Sequence, residues 1–206
     1  MDYRANQLRN AGLCDAAHLM SDMIKRPDET HQLLDYSTQV ILKHLKLYAS
    51  LGVQGFVICD PSASGNLLSP RHWEQFVAPY TTAVIQAVHE IGVPSILHIC
   101  GNTTKILPIV ADIAPTAFSF DHAVDAGVAR QAIGASVCLL GNLDPADTLL
   151  STRNRVRDEA EKCVDTCWAG GGYVLGALMR PERGDSGREH QDHDRSRPPG
   201  QAPIHR

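Results

Sequence analysis

The sequence predicts an α/β fold: part of a (β/α)8 TIM barrel, with about five βα units and a disordered C-terminal tail. Three observations carry this expectation. Between Arg26 and the glycine-rich stretch near residue 170, long segments of helical periodicity alternate with short β-branched or apolar runs. Each short run ends in polar or small residues, as where loops after parallel strands build an active-site face. From Arg180 onward apolar periodicity stops, and Arg, Asp, His, Pro and Gly dominate.

Taken in order, the first expected element is a helix from about Pro27 to Leu51. Pro27 suits the first helical turn, Asp28 and Glu29 favour the positive end of the helix dipole, and Gly52 is a suitable stop. The expected strands are Gly55–Cys59, Ser95–Cys100, Ala117–Asp121, Ser136–Gly141 and Gly172–Gly176. Between them the periodicity predicts helices over Pro70–Ile91, Thr103–Ile113, Val124–Ile133 and Asp144–Trp168. A doubly wound sheet would show similar loop clustering, but no strand is followed by a GxGxxG turn or a Walker A pattern.

Five strands cannot close an eight-stranded barrel, so further βα units are expected upstream. The expected organisation is a C-terminal barrel part over residues 1–179 and a tail over 180–206. That tail has too few apolar residues to offset chain entropy. It begins abruptly where a loop and helix should follow, the kind of junction a shifted reading frame produces. An open run of strands leaves unpaired edges and apolar surface, and possible self-association follows from that.

Composition narrows the function classes. A chain of 206 residues with 43% hydrophobic content can bury one ordinary core. A formal charge of −4 and a pI near 6.2, without clustered basic residues, argue against nucleic acid as a partner. The longest apolar runs are a few residues, against roughly 20 for a membrane span, and the N-terminus lacks a signal-peptide core, so the expected location is the cytoplasm. The six cysteines (Cys14, Cys59, Cys100, Cys138, Cys163, Cys167) are irregularly spaced, which favours free thiols or metal ligands over a disulfide framework.

The main chemical signal is His98-Ile99-Cys100 at the end of the second expected strand. Residues two apart on a strand share a face, and an imidazole nitrogen and a thiolate on one face can bind a zinc ion. A buried cysteine beside a hydrogen-bonded histidine explains the same spacing. Asp60 and Asn66 follow a strand and could contact a ligand, although Asp-Pro and Ser-Gly-Asn are also ordinary turn chemistry. Asn142 and Asp144 carry the same ambiguity, and Asp144 before Pro145 also reads as a helix N-cap. His122 reads as structural or solvent-facing. Cys163 and Cys167, four apart on a helix, read as packing residues.

The stretch LHICGNTTKILP, with Ser64-Gly65-Asn66-Leu67-Leu68-Ser69-Pro70 before it and Gly141-Asn142-Leu143-Asp144-Pro145 after it, resembles the uroporphyrinogen decarboxylase superfamily. HICGNT is most similar to its cobamide-dependent methyltransferase branch, and the resemblance runs from about Leu13 to Leu175. It implies a zinc-dependent enzyme moving a methyl group from a methylcobalamin-type corrinoid, on a corrinoid protein, to a small-molecule thiol such as coenzyme M. On that resemblance His98 and Cys100 match two zinc ligands and act in catalysis, and Asp121 matches a position that can supply another. The branch's remaining Cys ligand lies in a Gly-Pro-Gly-Cys-like turn, where this sequence reads Gly176-Ala177-Leu178-Met179-Arg180. The decarboxylase branch, which serves porphyrin biosynthesis without a metal, would assign substrate contact to Ser62. Where that branch has a Phe-Ala-Lys-Asp-Gly-like strand end, this chain has His98-Ile99-Cys100-Gly101. A catalytically silent fragment is a further reading, given the missing strands and the missing ligand.

Overall fold

Six parallel strands pair strictly in chain order: β1 (Asp2–Tyr3), β2 (Phe56–Cys59), β3 (Ser95–Ile99), β4 (Ala117–Phe120), β5 (Cys138–Asn142) and β6 (Tyr173–Gly176). The computed structural model describes residues 2–3, 16–145, 147–148, 151–168 and 172–177. A doubly wound sheet reverses strand order at a switch point; sequential order is that of a barrel wall. The helices that join the strands pack side by side in the same order, α2 (Pro27–Ser50) on α4 (Ala78–Ile91), then α5 (Leu107–Ile113), α6 (Ala126–Ile133) and α7 (Arg153–Cys167).

Alternation along the strands separates the two faces. Phe56, Ile58, Leu97, Ile99, Phe118, Phe120 and Leu139 are buried with the helices' apolar stripes, from Leu34 and Leu45 through Val84, Ile85 and Val88 to Val110 and Ala129. Burying a large apolar side chain of this kind contributes roughly 1.5–3 kcal/mol, so this layer is the main source of stability. The opposite face carries Val57, Cys59, Ile96, His98, Ser119, Leu140 and Asn142, and this is the face on which the polar residues gather.

All five expected strands form, and their ends differ from expectation by a residue or two. Helix α2 begins with Pro27 and stops where Gly52 adopts φ 76° and donates its N–H to Ala49 O. Three helices depart from expectation. The span Pro70–Ile91 is two helices, α3 (Pro70–Phe76) and α4, with Val77 at φ −117° between them. Pro79 is the cause, since its ring has no N–H to donate and would clash with the carbonyl four residues back in a continuous helix. The span from Thr103 opens with a 3-10 turn, Thr104–Ile106, before α5. Helix α7 begins at Arg153 and is capped by Thr152, whose Oγ1 accepts from Arg155 N–H. Asp144 is therefore no N-cap of α7; its Oδ1 accepts from Asp147 N–H at 2.9 Å and closes a local turn. Strand β1 and helix α1 (Ala16–Lys25) were not expected. The expected tail over 180–206 lies outside the described residues, as does most of the Gly176–Arg180 turn.

Arg130 ties the last units together. Its guanidinium donates to Cys167 O at 2.9 Å, Gly134 O at 2.6 Å and Gly172 O at 2.8 Å, joining the ends of α6 and α7 to the entry of β6. Arg130→Met keeps the aliphatic stem and removes the donors. It should lower stability by about 2 kcal/mol, read as a lower urea midpoint at unchanged slope; an unchanged midpoint would show that water serves these carbonyls equally well.

Candidate active site

Residues at the C-terminal ends of β2, β3 and β4 converge on Cys100. His98 is the register partner of Ser119 on β4, which puts both side chains on the same face. The imidazole Nδ1 lies 2.6 Å from Ser119 Oγ and 3.2 Å from Ser119 O. Both contacts orient the ring, with Nδ1 turned to Ser119 and Nε2 to the C-terminal end of β3. That nitrogen lies 3.2 Å from Cys100 Sγ. The shared face expected of the pair is therefore present, together with an orienting group.

Two carboxylates shape the surroundings. Burial, then Asp121 and Asp60, push the Cys100 thiol above its ordinary pKa, so without a cation it stays protonated and weakly nucleophilic. Asp60 is buried, and that burial lifts its pKa to about 6 against the pull of the Ala63 and Ser62 backbone N–H groups. Its Oδ1 has no hydrogen-bond partner, and its own N–H donates to His98 O at 3.0 Å.

Asp121, the position that the resemblance matches to a further metal ligand, meets two backbone amides and a histidine. Its Oδ2 accepts from Gly101 N–H and its Oδ1 from Ala123 N–H, each at 2.9 Å, and His122 Nδ1 lies 3.0 Å from Oδ1. Among the described residues no group of three or more His, Cys, Asp or Glu side chains is gathered closely enough to hold a metal ion, so the protein ligands gathered at this site are two, His98 and Cys100. Asp121 thus stands beside the His98–Cys100 pair and holds the turn that carries Cys100.

The other expected residues divide. Ser62 sits in the 3-10 turn Pro61–Ala63 beside Asp60. Asn66 donates its backbone N–H to Ser64 Oγ at 3.2 Å, in a loop packed on Gly101. Asn142 spends its amide on Asp121 O and Val124 O, yet with His98, Phe120, Asp121, His122 and Pro145 it lines a small pocket at the mouth. Asp144 lines a larger cavity of about 340 Å³ between α6 and α7, which shares His122 and Asn142 with that pocket and where its Oδ2 lies 3.5 Å from His122 Nε2. His122, expected to be structural or solvent-facing, is half-exposed between two aspartates. Cys163 and Cys167 are buried on the inner side of α7 as packing residues.

Ser119 was missed. The available signal was a lone hydroxyl inside the apolar run Ala117-Phe118-Ser119-Phe120, at the same parity as Asp121.

The chain belongs to the uroporphyrinogen decarboxylase (URO-D) family, whose family model matches residues 7–177. It is 34% identical over 139 residues to a methylated-thiol–coenzyme M methyltransferase of Methanosarcina mazei, an alignment covering 67% of this chain and 37% of the relative. A uroporphyrinogen decarboxylase of Nitrosospira multiformis is 29% identical, over 82% of this chain and 46% of the relative. Among solved structures, a methyltransferase from Methanosarcina mazei superposes with a TM-score of 0.72 at 26% identity, covering 82% of this chain and 50% of that one. The chain thus spans less than half the length of these curated relatives.

Burial of Asp60 has a consequence for stability. The folded chain keeps a proton that the unfolded chain releases between about pH 4 and pH 6, so stability falls as pH rises through that window, by about 3 kcal/mol at most. Asp60→Asn removes this fall. The variant should gain on wild type at about pH 7.5 and match it near pH 4 in urea unfolding; parallel pH profiles would contradict the assignment.

Proposed function

We propose that this chain is part of a methyltransferase that carries a methyl group from a methylated corrinoid, borne by a corrinoid protein, to a small-molecule thiol such as coenzyme M in the cytoplasm. The observation that supports it is the oriented pair: His98 Nε2 facing Cys100 Sγ at 3.2 Å, with Nδ1 fixed on Ser119. The names of relatives point the same way, methylcobamide:CoM methyltransferases of Methanosarcina among them. Among the described residues no helix is long and apolar enough to cross a membrane.

An imidazole nitrogen and a sulfur on one face, backed by a hydrogen bond to the far ring nitrogen, fit a zinc ion as two of its ligands. Bound there, zinc would supply the positive charge that keeps thiols in their thiolate form near neutral pH. Ser119 holds the His98 ring with Nε2 turned towards Cys100. Asp121 holds the Gly101 amide, which fixes the turn after Cys100. Asp60 presents a buried acceptor to the same space. A methylated corrinoid would supply the methyl group, an S–C bond to the acceptor thiol forming as the Co–C bond breaks with its electron pair left on cobalt and the thiol proton released, while His98 and Cys100 would hold the cation that favours the thiolate.

A second reading, decarboxylation of uroporphyrinogen, draws support from relatives bearing that name. It gives no role to His98 and Cys100 as a pair.

Two protein ligands hold zinc more weakly than the three or four of a complete site. The purified chain should therefore bind zinc substoichiometrically and lose it readily to chelators, and His98→Ala/Cys100→Ala should bind none; equal zinc in both proteins would remove the metal assignment. Where activity is measurable it should consume methylcobalamin and a thiol, and fall on chelation and with Cys100→Ser. Chelator-insensitive formation of coproporphyrinogen from uroporphyrinogen would favour the decarboxylase.

A further inference from the structure

The turn that carries Cys100 meets the loop after β2 through two contacts that leave no room for a side chain. A Cβ on Gly65 would lie 2.3 Å from the carbonyl oxygen of Asn102. A Cβ on Gly101 would lie 2.6 Å from Ser64 Oγ and 3.1 Å from Asn66 Nδ2. Gly101 also has φ +73°, a conformation that side-chain-bearing residues rarely adopt.

Both sides of this contact are anchored. Ser64 is buried, and its Oγ accepts from Asn66 N–H while its carbonyl accepts from Leu67 and Leu68. Trp73, fully buried, donates its indole N–H to Ala63 O at 2.8 Å and pins the loop to α3. Across the contact, Gly101 N–H is held by Asp121, and Thr103 and Ile106 are completely buried. A displacement of Asn102 therefore has little freedom to dissipate downstream. It passes to Cys100.

We propose that Ser64, Gly65 and Asn66 form a clamp that sets the position of the Cys100 thiol relative to His98 Nε2, making them positioning residues for the site. The proposal rests on the reading of His98 and Cys100 as the working pair. Gly65 lacks a side chain because the Asn102 carbonyl occupies its place, and the close approach of the two loops transmits the β2 end to the β3 end. A methyl group at Gly65 would need the Asn102 carbonyl to retreat by roughly an ångström, a scale at which reactive geometry is lost.

The test uses the full chain and two readouts. The first is the rate of iodoacetamide alkylation at Cys100, with Cys138 on the same protein as internal reference. The second is Co2+ binding, followed by the thiolate-to-cobalt charge-transfer band. Gly65→Ala should speed Cys100 alkylation about fivefold or more while leaving Cys138 unchanged, and weaken Co2+ binding by about 10- to 100-fold, as loss of an orienting contact does. Gly134→Ala supplies the backbone control, because Gly134 has φ +72° but open space around it. Gly101→Ala should act like Gly65→Ala, and adding Ser64→Ala should restore the part of the loss that the hydroxyl causes, the strain of φ +73° and the Asn66 amide remaining. Unchanged Cys100 reactivity in Gly65→Ala would overturn the clamp. Should Gly65→Ala fail to fold, the Gly101→Ala and Ser64→Ala cycle decides: additive effects overturn the clamp and rescue supports it. If the wild-type chain gives no cobalt–thiolate band, the metal reading fails, and the alkylation rates still judge the clamp.

Discussion

The pairing of β3 with β4 is the constraint on which the site depends. His98 opposite Ser119 fixes the orientation of the ring, and through that which nitrogen confronts Cys100. A slip of one residue would send His98 to the helix-covered face and bring Leu97 or Ile99 into the mouth. The register is held from both directions. Phe118 and Phe120 are buried with Leu97 and Ile99 in the helix-covered layer, and at the opposite end Ser95 N–H donates to Thr116 Oγ1 at 3.1 Å while Thr116 N–H donates to Ser95 Oγ at 3.0 Å. Apolar burial thus sets the face, and a small polar knot at the N-terminal end sets the phase.

Electrostatics adds a second condition. Asp60 and Asp121 both oppose ionisation of Cys100, and burial opposes it further. A site meant to generate a thiolate by local charge alone would surround the sulfur with cations or a helix N-terminus. Here the surroundings are anionic, an arrangement that makes chemical sense if a metal cation supplies the missing charge. Each carboxylate oxygen of Asp121 accepts a backbone amide, which holds the turn in place.

Much of this was legible in the sequence because it follows from short-range rules. Period-two placement put His98 and Cys100 on one face, and alternating apolar and helical segments gave all five principal strands. Effects that need the third dimension were not legible. The split of Pro70–Ile91 was available from Pro79 and was overlooked. Asp144 is an N-cap residue type that accepts from Asp147 N–H and closes a local turn well before the helix that starts at Arg153, which no local pattern distinguishes from capping. Ser119 drew no attention because a single hydroxyl in an apolar strand has no meaning until its register partner is known. Gly65 and Gly101 likewise read as turn residues, whereas their importance comes from the neighbouring loop.

The proposed site needs one imidazole and one thiolate to share a cation. Zinc K-edge X-ray absorption on the chain loaded with zinc and freed of excess metal measures this directly. The account predicts a mixed first shell with sulfur at about 2.3 Å and imidazole nitrogen at about 2.0–2.1 Å, the sulfur contribution vanishing in Cys100→Ser. A shell of oxygen and nitrogen alone in the wild-type chain, or a sulfur contribution that survives in Cys100→Ser, would contradict it.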